Sequence, residues 1–140
     1  MSRVVEIARS WIGTPYVHQA AAKGAGSDCL GLIRGIWAEL HGAPLPKAPA
    51  YTEDWAEPQG DEVLWRAARA HLIPATGEAE GDVLLFRMRE AGVAKHLGLQ
   101  SATGARPAFI HAYSGHGVVE SPLSRPWRAR IVARFRFPET

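Results

Sequence analysis

Cys29 is the only thiol in the chain, and it stands in Ser27-Asp28-Cys29-Leu30-Gly31-Leu32, where an irregular glycine-containing stretch gives way to a helical pattern. A thiol at a helix start feels the positive end of the backbone dipole and the unpaired N–H groups of the first turn. Both favour the nucleophilic thiolate. Two histidines follow inside apolar, strand-like segments: His96 in Ala94-Lys95-His96-Leu97-Gly98-Leu99 and His111 in Phe109-Ile110-His111-Ala112. A cysteine hydrolase or acyl-transfer enzyme needs a thiolate, an imidazole that pairs with it and later protonates the leaving amine, and a polar group that orients the imidazole. Cys29, His96 and His111 could fill these three places. Ala94 and Gly98, on the strand face of His96, would leave room for a substrate backbone.

Each residue also has a plainer reading. A lone cysteine is most often an inert buried side chain, and one strand histidine is usually structural. Two on neighbouring strands beside a poised thiol are harder to explain that way. His18, His41, His71 and His116 have weaker claims, since His41 and His71 fall near helix ends and His116 sits in a glycine-flanked turn. Zinc would compete for Cys and His, but the close paired ligands of structural sites are missing and no H-E-x-x-H occurs. Neither a metal nor a cofactor is called for. A G-x-S-x-G elbow and a phosphate-cradling loop are also absent from the sequence.

The elements that must position these groups divide the chain in two. Val4, Ile7, Ala8 and Trp11 recur at helical spacing after Ser2, a suitable N-cap, and Gly13 supplies a stop, which predicts a helix over roughly 3–12. Residues 14–27 read as irregular. A second helix runs from Cys29 to about Leu40, capped by Asp28 and stopped by Gly42, with Cys29, Ile33, Ile36, Trp37 and Leu40 on one face. Residues 43–60, with four prolines, read as a loop-like connection, after which Asp61 can cap a third helix through about Leu72. Asp82–Met88, Lys95–Ser101, Pro107–Tyr113, Gly117–Glu120 and Arg128–Phe137 are strand candidates separated by turn residues. Helices first and strands afterwards predict an α+β fold, N-terminal helices packed on a C-terminal antiparallel sheet.

The 140 residues suit one domain, 1–140, able to bury a core without crosslinks, and the single cysteine excludes a disulfide within the chain. The N-terminus lacks the uninterrupted apolar core of a secretory signal, and no segment reaches the length of a membrane span, so the expectation is synthesis and folding in the cytosol. Net charge is only +2, but Arg125, Arg128, Arg130, Arg134 and Arg136 crowd the C-terminal segment. Alternation there reads as a half-buried strand whose polar side is solvated or meets an anionic partner such as a wall polymer or a neighbouring protein. Nucleic acid is not an expected partner, because no binding motif accompanies the patch.

Five blocks in order resemble the NlpC/P60 family, papain-like cysteine peptidases that cut bacterial cell wall peptides: Gly13-Thr14-Pro15-Tyr16, the Cys29 block, Glu80-Gly81-Asp82-Val83-Leu84-Leu85-Phe86, His96-Leu97-Gly98-Leu99 and Phe109-Ile110-His111-Ala112. The resemblance implies Cys29 as nucleophile, His96 as base and then acid, and His111 as the residue orienting His96. It implies that Tyr16 lies beside the nucleophile and polarises the scissile carbonyl. It also implies that Asp28, besides any capping role, helps hold a free amino terminus in members that cut between D-glutamate and a diamino acid. Leu30 stands where many members have Ser, and His18-Gln19-Ala20 where they often have Trp-Gly-Gly. These departures touch the substrate side rather than the thiol and imidazole.

Residues 13–20, with Lys23-Gly24 and Arg34-Gly35-Ile36-Trp37, further resemble the phage-tail and gene-transfer-agent branch. That implies a peptidoglycan peptide substrate and tail-tip or hub partners, with incorporation in a phage-like particle. Two alternatives follow from the same residues: a structural hub protein that keeps the fold and docks through its arginine-bearing strand, and an acyltransferase in which an amine or lipid, rather than water, takes the acyl group from Cys29.

Overall fold

The computed structural model describes residues 2–45, 62–89 and 92–138. Helix α1 spans Arg3–Ser10, capped by the Ser2 hydroxyl, which accepts from the Val5 N–H at 3.3 Å. After a short hairpin of β1 (Ala21–Ala22) and β2 (Gly26–Ser27), helix α2 runs Cys29–His41, and the left-handed Gly42 ends it. Helix α3 covers Val63–His71; Asp61, its expected cap, lies outside the described residues, as does most of the proline-rich connection. There follow β3 (Ile73–Pro74), β4 (Val83–Arg87), β5 (Ala94–Ala102), β6 (Ala108–Tyr113), β7 (Gly117–Pro122), the short helix α4 (Arg125–Arg128) and β8 (Ile131–Arg136).

Among the described residues, six strands form one antiparallel sheet in the order β3-β8-β4-β5-β6-β7. This is the α+β arrangement the sequence predicts, with two corrections. The last strand starts at Ile131 rather than Arg128, because Pro126 sits at the start of a helical turn and fits there. The pairs β1–β2 and β3–β8 were not foreseen; each short strand has two residues, too few to show a period of two.

The sheet has two apolar faces. Val83, Leu85, Leu97, Leu99, Ile110 and Ala112 pack with α1 and α2 in the main core. Leu84, Phe86, Phe109 and Leu123 form a second cluster on the opposite face, closed by Met88, Trp127 and Ile131. Helix α2 therefore buries more than the single face its periodicity suggests: Cys29 to Ile33 are all buried, with the 14–27 stretch and α1 covering what the sheet does not. Gly35 makes the α1 contact possible, since a Cβ there would stand 2.1 Å from the Trp11 ring.

The C-terminal arginines are used within the chain. Asp82, fully buried, accepts from Arg136 Nε at 3.1 Å and lies 3.4 Å from Arg134 Nη1, which also donates to Gln100 Oε1 at 2.6 Å. Glu78 takes Arg128 at 2.6 Å and Arg134 at 3.2 Å. These contacts tie β8 to the turn before β4.

Candidate active site

The 14–27 stretch is held against the start of α2 by backbone bonds. Ser27 N–H donates to Pro15 C=O at 2.9 Å, Val17 N–H to Ser27 C=O at 3.2 Å, and Asp28 N–H to Ala20 C=O at 3.2 Å. Tyr16 thereby lies alongside Ser27 as an isolated parallel bridge. The Ala20 carbonyl rests directly on Gly31, where a Cβ would come within 1.8 Å of the oxygen, so this approach requires glycine.

Asp28 is buried and anchors both segments. Its Oδ1 accepts from Gly31 N–H at 2.7 Å, the N-cap bond, and its Oδ2 accepts from Gln19 N–H at 2.7 Å. Gln19 holds a left-handed φ of 64°. His18 Nδ1 lies 3.8 Å from the same Oδ2. The expected capping role is thus observed, and the carboxylate also fixes the loop beside it.

Cys29 follows, buried, with Sγ 3.9 Å from the Lys95 carbonyl oxygen. The thiolate expected from the helix start alone is not what this environment favours. Burial, and then the Asp28 charge, push the thiol up from 9.0 to about 12, against the pull of the Leu97, Leu30 and Cys29 backbone N–H groups. Helix-end stabilisation is a surface-scale effect, and removal of the sulfur from water outweighs it.

His96 lies on β5 opposite Phe86 of β4. The register shifts next to it: Phe86 pairs with His96 but Arg87 with Ala94, which leaves Lys95 as the extra residue of a bulge. The shift corrects the expected role of the small neighbours. Ala94 is turned into the main core, and the space over Gly98 is filled by Phe109 and Phe86, whose ring carbons would stand 2.8 and 3.3 Å from a Cβ. Ala94 thus serves the main core, and Gly98 the packing of the two phenylalanines.

His96 Nε2 and His111 Nδ1 are 2.8 Å apart, and His111 Nε2 is 3.0 Å from the Ser121 hydroxyl on β7. The Trp127 ring covers the pair, with centroids 5.7 Å from His96 and 5.1 Å from His111. Burial, and then neighbouring His111, press His96 down from 6.5 to about 3; burial and His116 press His111 down to about 4. Both rings are therefore neutral near pH 7. With Nε2 engaged, Nδ1 is the His96 nitrogen left for a partner in the cleft.

A cleft of about 180 Å³ joins these groups, lined by Tyr16, His18, Asp28, Cys29, His96 and Tyr113 among others. The structure thus brings Tyr16, Asp28, Cys29 and His96 to one opening, with His111 behind His96. His18, Ser121 and Trp127 were not singled out from the sequence as site residues; Ser121 and Trp127 acquire neighbours in the site only through strand order. Among the described residues, no three His, Cys, Asp or Glu side chains gather as a metal site, and no helix is long and apolar enough to cross a membrane.

Comparison with known proteins bears on the family and the fold. Residues 13–136 match the sequence model of the NlpC/P60 family. Over 135 residues, 96% of this chain, the sequence is 29% identical to Gamma-DL-glutamyl hydrolase of Bacillus subtilis, and the match spans 29% of that protein's length. An NLP/P60 family protein of Staphylococcus aureus, described as similar to lipoprotein, superposes with a TM-score of 0.66 at 19% identity, covering 100% of this chain and 43% of that one. The structure of Ly7917 superposes at 0.58 and 12% identity, over 96% of this chain and 61% of its own. The two structural matches speak for the fold.

Proposed function

The chain belongs to the NlpC/P60 family, and on that footing we propose that it is a cysteine peptidase acting on the stem peptides of bacterial peptidoglycan, with Cys29 as nucleophile, His96 as base and then acid, and His111 orienting His96. The carrying observation is a buried sulfur and an imidazole on one cleft, the imidazole held from behind through Nε2. Because both groups are neutral at rest, the reaction begins with a proton transfer. The thiol proton passes to His96 Nδ1 as Sγ bonds to the carbonyl carbon, and the carbonyl electron pair moves onto oxygen. In this reading the Cys29 and Leu30 N–H groups at the helix start, with Tyr16, receive that oxygen. Collapse expels the amine, which takes the proton from His96. Water then attacks the thioester, gives a proton to His96, and the sulfur leaves and recovers it.

The proposed bond is D-glutamyl to diamino acid. A relative named a gamma-DL-glutamyl hydrolase supports a glutamyl linkage, and the Asp28 carboxylate beside the nucleophile supports a cationic amino terminus nearby. Mass spectrometry of muropeptides released by wild type and Cys29→Ala tests nucleophile and bond together. Products from the alanine variant equal to wild type would refute the first, and a different new terminus the second.

Delivery within a phage-like tail belongs to the same proposal and rests on residues 13–20, 23–24 and 34–37. Detection of the chain in purified particles from its host tests it. The docking alternative would use the C-terminal arginines, but Arg128, Arg134 and Arg136 already hold Glu78 and Asp82. The acyltransferase alternative shares every step up to the thioester and differs in the acceptor, which the same mass spectra would reveal as an amide or ester product.

A further inference from the structure

The hydrogen bond behind His96 does not end at His111. His96 on β5, His111 on β6 and Ser121 on β7 form one line across three adjacent strands, with contacts of 2.8 and 3.0 Å. We infer that Ser121 is a positioning residue that fixes the tautomer of both imidazoles, keeping Nδ1 of His96 bare so that it can take the thiol proton. The inference rests on the peptidase reading above and extends it to a residue outside the thiol and the two rings.

A 2.8 Å contact between two ring nitrogens has room for one hydrogen. A line of neutral rings therefore has two arrangements. In the first, Ser121 accepts from His111 Nε2–H, His111 Nδ1 is bare and accepts from His96 Nε2–H, and His96 Nδ1 is bare. In the second, Ser121 donates to His111 Nε2, His111 Nδ1–H donates to His96 Nε2, and the hydrogen of His96 sits on Nδ1, facing the cleft. Only the first gives a base.

The same conclusion follows from the protonated stage. Once His96 has taken the thiol proton, both its nitrogens carry hydrogen, and the short contact is tolerable only if His111 Nδ1 is bare. The hydrogen of His111 is then on Nε2, and it needs an acceptor. Phe109 and Trp127 flank the His111 ring with centroids 4.2 and 5.1 Å away, so the acceptor in reach is the hydroxyl on the next strand. The hydrogen of the serine itself has an outlet, because β7 is the outer strand of the sheet and Ser121 is partly exposed to water.

Nitrogen NMR of histidine-labelled protein near pH 7 reads which ring nitrogen bears hydrogen, independently of activity. In wild type, both His96 and His111 should carry it on Nε2. Ser121→Ala should give mixed tautomers and lower kcat on a soluble stem peptide by about three- to tenfold, the size of one net hydrogen bond, with KM unchanged. Ser121→Thr, which keeps the hydroxyl, should restore both readouts. Hydrogen on Nδ1 of His96 in wild type overturns the inference, whatever becomes of the variants. So does a Ser121→Ala protein with unaltered tautomers and kcat. Expected tautomers in a protein whose Cys29→Ala form remains fully active would instead sink the peptidase reading and leave the hydrogen-bond line standing.

Discussion

Asp28 adjoins Cys29 in the chain and opposes its ionisation. The carboxylate is held in place by the Gly31 and Gln19 N–H groups, each at 2.7 Å, and its charge is the second cause, after burial, of the raised thiol pKa. The residue that builds the helix start thus adds to burial in raising the thiol pKa.

Alkylation of the thiol measures this directly. Below a pKa of about 12, the thiolate fraction grows tenfold per pH unit, so modification of Cys29 by iodoacetamide should accelerate steadily from pH 6 to 9. Asp28→Asn removes the opposing charge and should speed the reaction at every pH in that range, while costing about 1 kcal/mol of stability because an amide can accept through only one of its two ends. A rate flat across pH 6–9 in wild type would indicate a thiolate–imidazolium pair and contradict the neutral resting state.

Acid should destabilise the fold through its two buried imidazoles. Their folded pKa values, about 3 and about 4, lie below the ordinary 6.5, so between those limits the unfolded chain binds more protons. The stabilisation is complete above pH 6.5 and is lost as pH falls through 4 and then 3, at up to about 1.4 kcal/mol per pH unit for each ring. Denaturant unfolding between pH 7 and 4 should show this slope in wild type, and His96→Gln should reduce it by one ring's share. Equal slopes in the two proteins would mean that His96 does not change protonation on unfolding in that range.

Gly31→Ala tests the close approach of loop and helix. The new Cβ would meet the Ala20 carbonyl, a backbone atom that cannot turn aside. Separation of the loop would strain the Gln19 and Asp28 bonds with it. A loss of about 2–4 kcal/mol is expected, with activity falling further than stability because Tyr16 rides on the same loop. A variant as stable and active as wild type would show that the loop yields without cost.

The sequence carries the helices and long strands clearly because each spans several repeats of its period. Ser2, Asp28 and Gly42 mark helix ends through their own chemistry, and the structure bears out each; Gly13 lies past the true end, since α1 stops at Ser10 with Trp11 as its C-cap. Less legible were features that depend on partners distant in the chain. Ala94 and Gly98 both look like open space beside His96. The bulge at Lys95 sends one to the other face, and two phenylalanines from β4 and β6 fill the space over the other. The surroundings of Cys29 are hidden for the same reason: a helix start is visible locally, but enclosure of the sulfur by β5 is not. Arg134 and Arg136 read as a free polar face until Glu78 and Asp82 are seen beneath them.

Strand β8 pairs with β4 on the side opposite β5, although some forty residues separate β8 from β4 along the chain. During synthesis, β4 must therefore leave the ribosome with one edge uncovered, and it stays uncovered until residues 131–136 emerge. Phe86, which packs against His96, sits on that unfinished strand. A nascent chain stalled before Ile131 would consequently hold Phe86 and His96 in a sheet that still lacks one of its inner strands.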